Sequence, residues 1–205
     1  HVRFCEGAGV KSPRATRRNI YVWSERAGER VLRLMRRLLA GLKLRINEGK
    51  SAVALAFGRS FLGYDFWVAP GGTIKRGVAK KALGAMKERV REITTRSGGR
   101  SLSQVAGELK GYLTGWKEYF RLAETPGVFR GLDEWIRHRL RALQLKQWKR
   151  GTTVFRELRS RGLSERAAAQ VAANTRRWWK NSGMVIHIAL PNCLFDQLGV
   201  PRLGT

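Results

Sequence analysis

Apolar residues recur at helical spacing through the middle of the chain. From Val78 onward, Ala82, Met86, Val90 and Ile93 fall on one face, while Lys80, Lys81, Lys87, Arg89 and Arg91 fill the remainder. Ser97-Gly98-Gly99 breaks that pattern, and Ser101 or Ser103 stands where an N-cap belongs. A broader apolar stripe follows, built from Val105, Leu109, Tyr112, Leu113, Trp116, Tyr119 and Phe120, with Pro126-Gly127 read as its end. The third pattern runs from Phe129 through Leu132, Trp135, Ile136, Leu140 and Leu143 to Trp148, with Gly151 as the expected stop. Three helices of about 18 to 22 residues, joined by short loops, predict a small bundle.

The flanks read differently. His1 to Arg18 shows neither helical nor strand periodicity and is expected to be an irregular basic arm. Asn19 to Trp23 is rich in strand formers, and Ser24 caps a helix carrying Val31, Leu34, Met35, Leu38 and Leu42 on one face. Leu44 to Ile46 reads as extended, Asn47-Glu48-Gly49 as a turn, and Ala52 to Phe57 as a strand. Phe61 to Val68 reads as a further strand, returning after Pro70-Gly71-Gly72 through Thr73 to Lys75 as a hairpin. Beyond the bundle come a short helix at Val154 to Leu158, a Ser164-capped alanine-rich run to Ala173, Trp178-Trp179 and an apolar run from Met184 to Leu190. No repeat of fixed period is present. The expected fold class is therefore α+β, mostly α, organised as 1–18, 19–76, 77–151 and 152–205.

Charge then narrows the partner. Against 41 Lys and Arg stand 15 Asp and Glu, a formal charge of +26 that repels itself unless a polyanion neutralises it. Nucleic acid is the leading partner, because no apolar run approaches the roughly 18 residues of a membrane span and no signal-peptide segment is visible. A cytoplasmic or nucleoid-like location is expected. Cys5 and Cys193 belong to no CxxC pair, which argues against a zinc ribbon or disulfide framework. His1, His138 and His187 lack partners at metal or triad spacing, and His138 is expected to be solvated or phosphate-facing. Adjacent Asp133 and Glu134 point about 100° apart on a helix and do not aim at one site. Gly98-Gly99 lacks the frame of a phosphate loop.

The third helix carries Arg130, Arg137, Arg139, Arg141, Lys146, Lys149 and Arg150, with no acid between Arg137 and Arg150. A solvated face ordinarily mixes both signs, so this run predicts phosphate contact. Lys80 and Lys81 on the first helix, and Lys110, Lys117 and Arg121 on or beside the second, complete the expected RNA-binding set. Trp116 and Trp135 lie on the apolar stripes and are expected in the core; Trp148, Trp178 and Trp179 are less constrained.

Leu42-Lys-Leu-Arg-Ile-Asn47, Lys50-Ser51 and Phe61-Leu-Gly-Tyr64 together resemble the last palm motifs of group II intron reverse transcriptases. Gly111-Tyr112 to Trp116, Tyr119-Phe120 and Leu132 to Arg137 then resemble that family's maturase-specific thumb, and Leu190 to Leu203 its bacterial endings. The resemblance spans about Asn19 to Leu203 and makes 19–76 the end of a palm, 77–151 the thumb and 152–205 a helical tail. It implies RNA-directed DNA polymerisation with Mg²⁺ in the intact family, and binding of intron RNA or template-primer duplex by the thumb. In the family, Tyr-Ala-Asp-Asp directly precedes the strand matching Asn19 to Val22, whereas Arg14-Ala15-Thr16-Arg17 stands there in this sequence. Thr16 and Arg17 in place of the aspartates, with Lys50 as the one weak catalytic candidate, predict no polymerase activity and no cofactor for this chain alone. A fingers-palm portion is expected to be missing, and the loss of pattern before Arg18 suggests a truncated or frame-shifted reading frame. The expected function is thus RNA binding that assists splicing and reverse transcription. A DNA-binding protein using a basic helix, and an inert product of a degenerate intron reading frame, are the alternatives.

Overall fold

The computed structural model describes residues 3–7, 18–57, 59–95, 98–183 and 185–204, with backbone alone for 3–7, Arg18 and Lys50. It divides into two compact units, His1–Lys75 and Arg76–Thr205. The mixed, mostly helical class expected from the sequence is the one observed.

In the first unit, β1 (Arg3–Gly7) lies between β2 (Arg18–Val22) and β3 (Val53–Leu55) and is antiparallel to both. The expectation of an irregular arm is therefore corrected at Arg3–Gly7. A central strand gains its order from ladders on both sides, which local periodicity does not register. The rest of the arm, including Arg14 to Arg17, lies outside the described residues. Helix α1 (Glu25–Gly41) starts as expected, with the Ser24 hydroxyl accepting the Ala27 N–H. It crosses the sheet at Gly28, where a Cβ would stand 2.5 Å from Val53 Cγ1. Leu32 is buried on the same side.

The helix ends in a Schellman arrangement. Leu44 N–H donates to the Leu39 carbonyl and Lys43 N–H to that of Ala40, with Lys43 at φ 56°. Leu44 to Ile46 consequently joins no sheet, and Asn47 leads into a 3₁₀ turn, Glu48–Lys50. The single strand expected over Phe61–Val68 is two: β4 (Ser60–Phe61) and β5 (Tyr64–Val68) flank a two-residue turn, Leu62-Gly63, at φ 50° and 79°. Leucine is unusual in that left-handed conformation, which hides the turn from a composition rule. The expected return after Gly71-Gly72 is β6 (Ile74–Val78), next to β5 in the sheet.

The second unit is helical: α2 (Lys80–Ile93), α3 (Leu102–Tyr119), α4 (Pro126–Trp148), α5 (Gly151–Ser160), α6 (Glu165–Ala173), α7 (Trp178–Ser182), α8 (Ile186–Ala189) and α9 (Asn192–Gln197). Ser101 forms a full capping box with Gln104, and Ser164 caps α6. Two punctuation marks act in the opposite sense to that expected. Pro126 opens α4 at its first turn, where a missing N–H costs nothing, and Gly151 opens α5. The left-handed residue that ends α4 is Lys149, at φ 57°.

Met86, Val90 and Ile93 of α2, Val105, Leu109 and Leu113 of α3, and Ile136 and Leu140 of α4 are buried as the stripes predict. Leu158, Leu163, Val171, Ile186, Leu190 and Phe195 are buried as well. Helix α4 packs against α3, α5 and α7. Among the described residues no helix is long and apolar enough to cross a membrane.

Candidate nucleic-acid interface

Because α4 is packed on several sides, its cations divide between interior and surface. Arg137 is 2% exposed. Its guanidinium donates to Asp133 Oδ1 at 3.1 Å, one helical turn back, and to Asp196 Oδ1 at 2.9 Å. Asp133 also accepts the N–H groups of Leu203 and Gly204, and Asp196 accepts from Arg202 Nε at 3.0 Å. The hydrogen bonds from Arg202, then those from Arg137, hold the Asp196 carboxyl below its ordinary range. This network fastens the end of the chain to α4, and Lys117 adds a bond to the Arg202 carbonyl. Asp133 is therefore a structural ligand of a buried arginine.

Arg139 and Arg141 are likewise turned to the protein. Arg139 Nε donates to Thr94 Oγ1, and Arg141 donates to the Leu190 carbonyl and Asn192 Oδ1. Burial, then the nearby Arg137 charge, lowers the Arg141 pKa. The three arginines expected to form the centre of an RNA-binding face thus tie helices and tail together, and Arg137 is withdrawn from that role outright. A continuous run of cations on a helix does not face one way, since successive residues advance by about 100°. His138 is also corrected: it stacks on Trp179 with ring centroids 4.0 Å apart and bonds the Trp179 carbonyl through Nε2 at 2.9 Å.

The remaining expected cations stay on the surface. Lys80, Lys81, Lys110, Arg121, Arg130, Lys149 and Arg150 are exposed, and Lys117 and Lys146 are half-buried. Lys50's side chain lies outside the described residues. Two sets of groups come together. Around the half-buried Trp135 ring stand Lys87 Nζ at 5.9 Å, Arg91 at 5.7 Å and Arg139 at 5.3 Å. The tryptophan expected in the core is thus partly a platform for cations, whereas Trp116 is buried as expected.

The second set forms where α5 begins. A Cβ on Gly151 would lie 2.9 Å from the Ala172 carbonyl oxygen and 3.7 Å from Thr175 Cγ2, so the α4–α5 junction sits against the end of α6. Lys149 and Arg150 are consequently brought beside the α6–α7 connection, which carries Arg176 and Arg177 and lines a depression of about 310 Å³ with Ala173, Asn174 and Thr175. Among the described residues none of these four cations has an acidic partner. Next to them, Lys146 Nζ lies 4.2 Å from the Trp178 ring centroid. Asn181 stabilises the connection by donating to the Val171 and Asn174 carbonyls. Arg176 and Arg177 were not singled out from sequence; their adjacency to Trp178-Trp179 was the available signal.

Residues 83–162 match the group II intron, maturase-specific domain. The family read from the ordered motifs is the one found over this segment, which runs from within α2 to just beyond α5. The maturase-specific domain therefore contributes the Trp135 cluster, the buried Arg137 and the Lys149-Arg150 half of the second cluster. It indicates a function related to group II intron maturases. A search of curated proteins finds no match to the chain.

Proposed function

We propose that the Arg76–Thr205 unit binds structured intron RNA and in this way assists splicing or reverse transcription. The observation that carries the reading is the cluster of Lys149, Arg150, Arg176 and Arg177. These four cations are exposed, lie on two connections that meet where Gly151 approaches Ala172 and Thr175, and have no acidic partner among the described residues. Such a surface meets phosphates by charge and leaves sequence unread, which suits A-form RNA recognised by shape and backbone. Its partner is intron RNA or an RNA-containing duplex. Binding here rests on protein cations. Among the described residues no three His, Cys, Asp or Glu side chains are grouped to hold a metal ion.

The DNA-binding alternative uses a basic helix in the major groove. With Leu132, Ile136, Arg137, Leu140 and Leu143 buried, α4 does not offer itself to a groove. Competition at matched salt tests the reading. Unlabelled structured RNA is expected to displace a labelled RNA hairpin at lower concentration than duplex DNA of equal length. Equal or better displacement by DNA contradicts it.

A further inference from the structure

The first unit carries a charge pattern that the maturase-specific domain does not contain. Around α1, at about 100° per residue, Arg26, Arg30, Arg33 and Arg37 fall within a sector of roughly 60°, centred away from Gly28 and the sheet. They run along roughly 16 Å of helix. All four are exposed, and among the described residues none has an acidic partner. Arg30, Arg33 and Arg37, with Arg36, line a depression of about 430 Å³. Arg36 itself is accounted for: its guanidinium grips both oxygens of Glu48, at 3.0 and 2.8 Å.

The stripe works against the helix that bears it. Arg26 and Arg30, Arg30 and Arg33, and Arg33 and Arg37 are like charges three or four residues apart, the spacing at which side chains repel. Arg26 also stands in the first turn, at the positive end of the helix dipole. Among the described residues nothing packed against α1 calls for these four side chains. A line of phosphates would relieve the repulsion, and four guanidinium groups supply the planar donors that phosphate oxygens accept.

We propose that this stripe is a phosphate-backbone contact for structured RNA, separate from the α4–α5 surface and lying in the other unit. It rests on the reading of the chain as an RNA binder. An anionic bilayer is the poorer fit, because a broad surface meeting the stripe would also meet Glu29 and the Arg36–Glu48 pair beside it. A linear backbone needs only the line.

The test compares the full chain with Arg26, Arg30, Arg33 and Arg37 all changed to Gln, to Lys in a companion variant, and with Lys149, Arg150, Arg176 and Arg177 changed to Gln. Binding of a labelled RNA hairpin is measured across a salt series, and binding to vesicles containing phosphatidylserine beside it. The α1 Gln variant is expected to bind at least about tenfold more weakly, with a salt slope lower by about one per arginine, while the Lys variant keeps the slope. An unchanged slope and affinity in the α1 Gln variant overturns the inference; if the Lys149 cluster variant weakens at the same time, the proposed function still stands. An equal loss in the Lys and Gln variants together with a lowered unfolding midpoint assigns the arginines to folding and also overturns it. So does a loss of vesicle binding with RNA binding intact. If the α1 variant weakens and the Lys149 cluster variant does not, the inference holds and the proposed surface fails.

Discussion

Arg137 and Lys149 belong to the same basic helix and have opposite consequences. Removing the Arg137 guanidinium leaves Asp133 and Asp196 without the charge between them, and Arg137→Ala is expected to destabilise the second unit by about 3 kcal/mol in urea unfolding. Lys149→Ala should stay within about 0.5 kcal/mol of the parent. Asp196 gives the pH dependence. Its folded pKa is depressed, so its stabilisation is present above the unfolded value near 4 and is lost as pH falls through the folded one. Thermal unfolding at pH 6 and pH 3 should show a larger drop for the parent than for Asp196→Asn. Part of this was legible: Asp133 and Arg137 are four residues apart, the spacing of a helical ion pair. Asp196 was not, because a partner 59 residues away leaves no local trace.

At the scale of elements, the caps at Ser24, Ser101 and Ser164 follow from residue type because a hydroxyl at the right position satisfies a free N–H wherever the helix packs. Glycine commonly ends helices by adopting positive φ, whereas Gly151 serves close approach at the start of α5. Gly151→Ala forces a methyl toward the Ala172 carbonyl and is expected to cost about 1–3 kcal/mol by chemical denaturation. Gly107→Ala, exposed within α3 with open space around it, should instead stabilise by about 0.5–1 kcal/mol. Strand β1 was invisible for the same reason that Asp196 was: its order comes from β2 and β3, and β3 lies nearly fifty residues along the chain.

At the scale of the molecule, a charge of +26 names the class of partner without saying which cations meet it. Burial makes the division. It removes Arg137, engages Arg139 and Arg141 in packing, and leaves Lys149, Arg150, Arg176 and Arg177 facing solvent. The most direct test is the salt dependence of RNA-hairpin binding by the full chain with those four changed together to Gln. An unchanged unfolding midpoint, weaker binding and a log–log salt slope shallower by about one per cation removed are expected. A stable variant that binds with the parent's affinity and slope would contradict it.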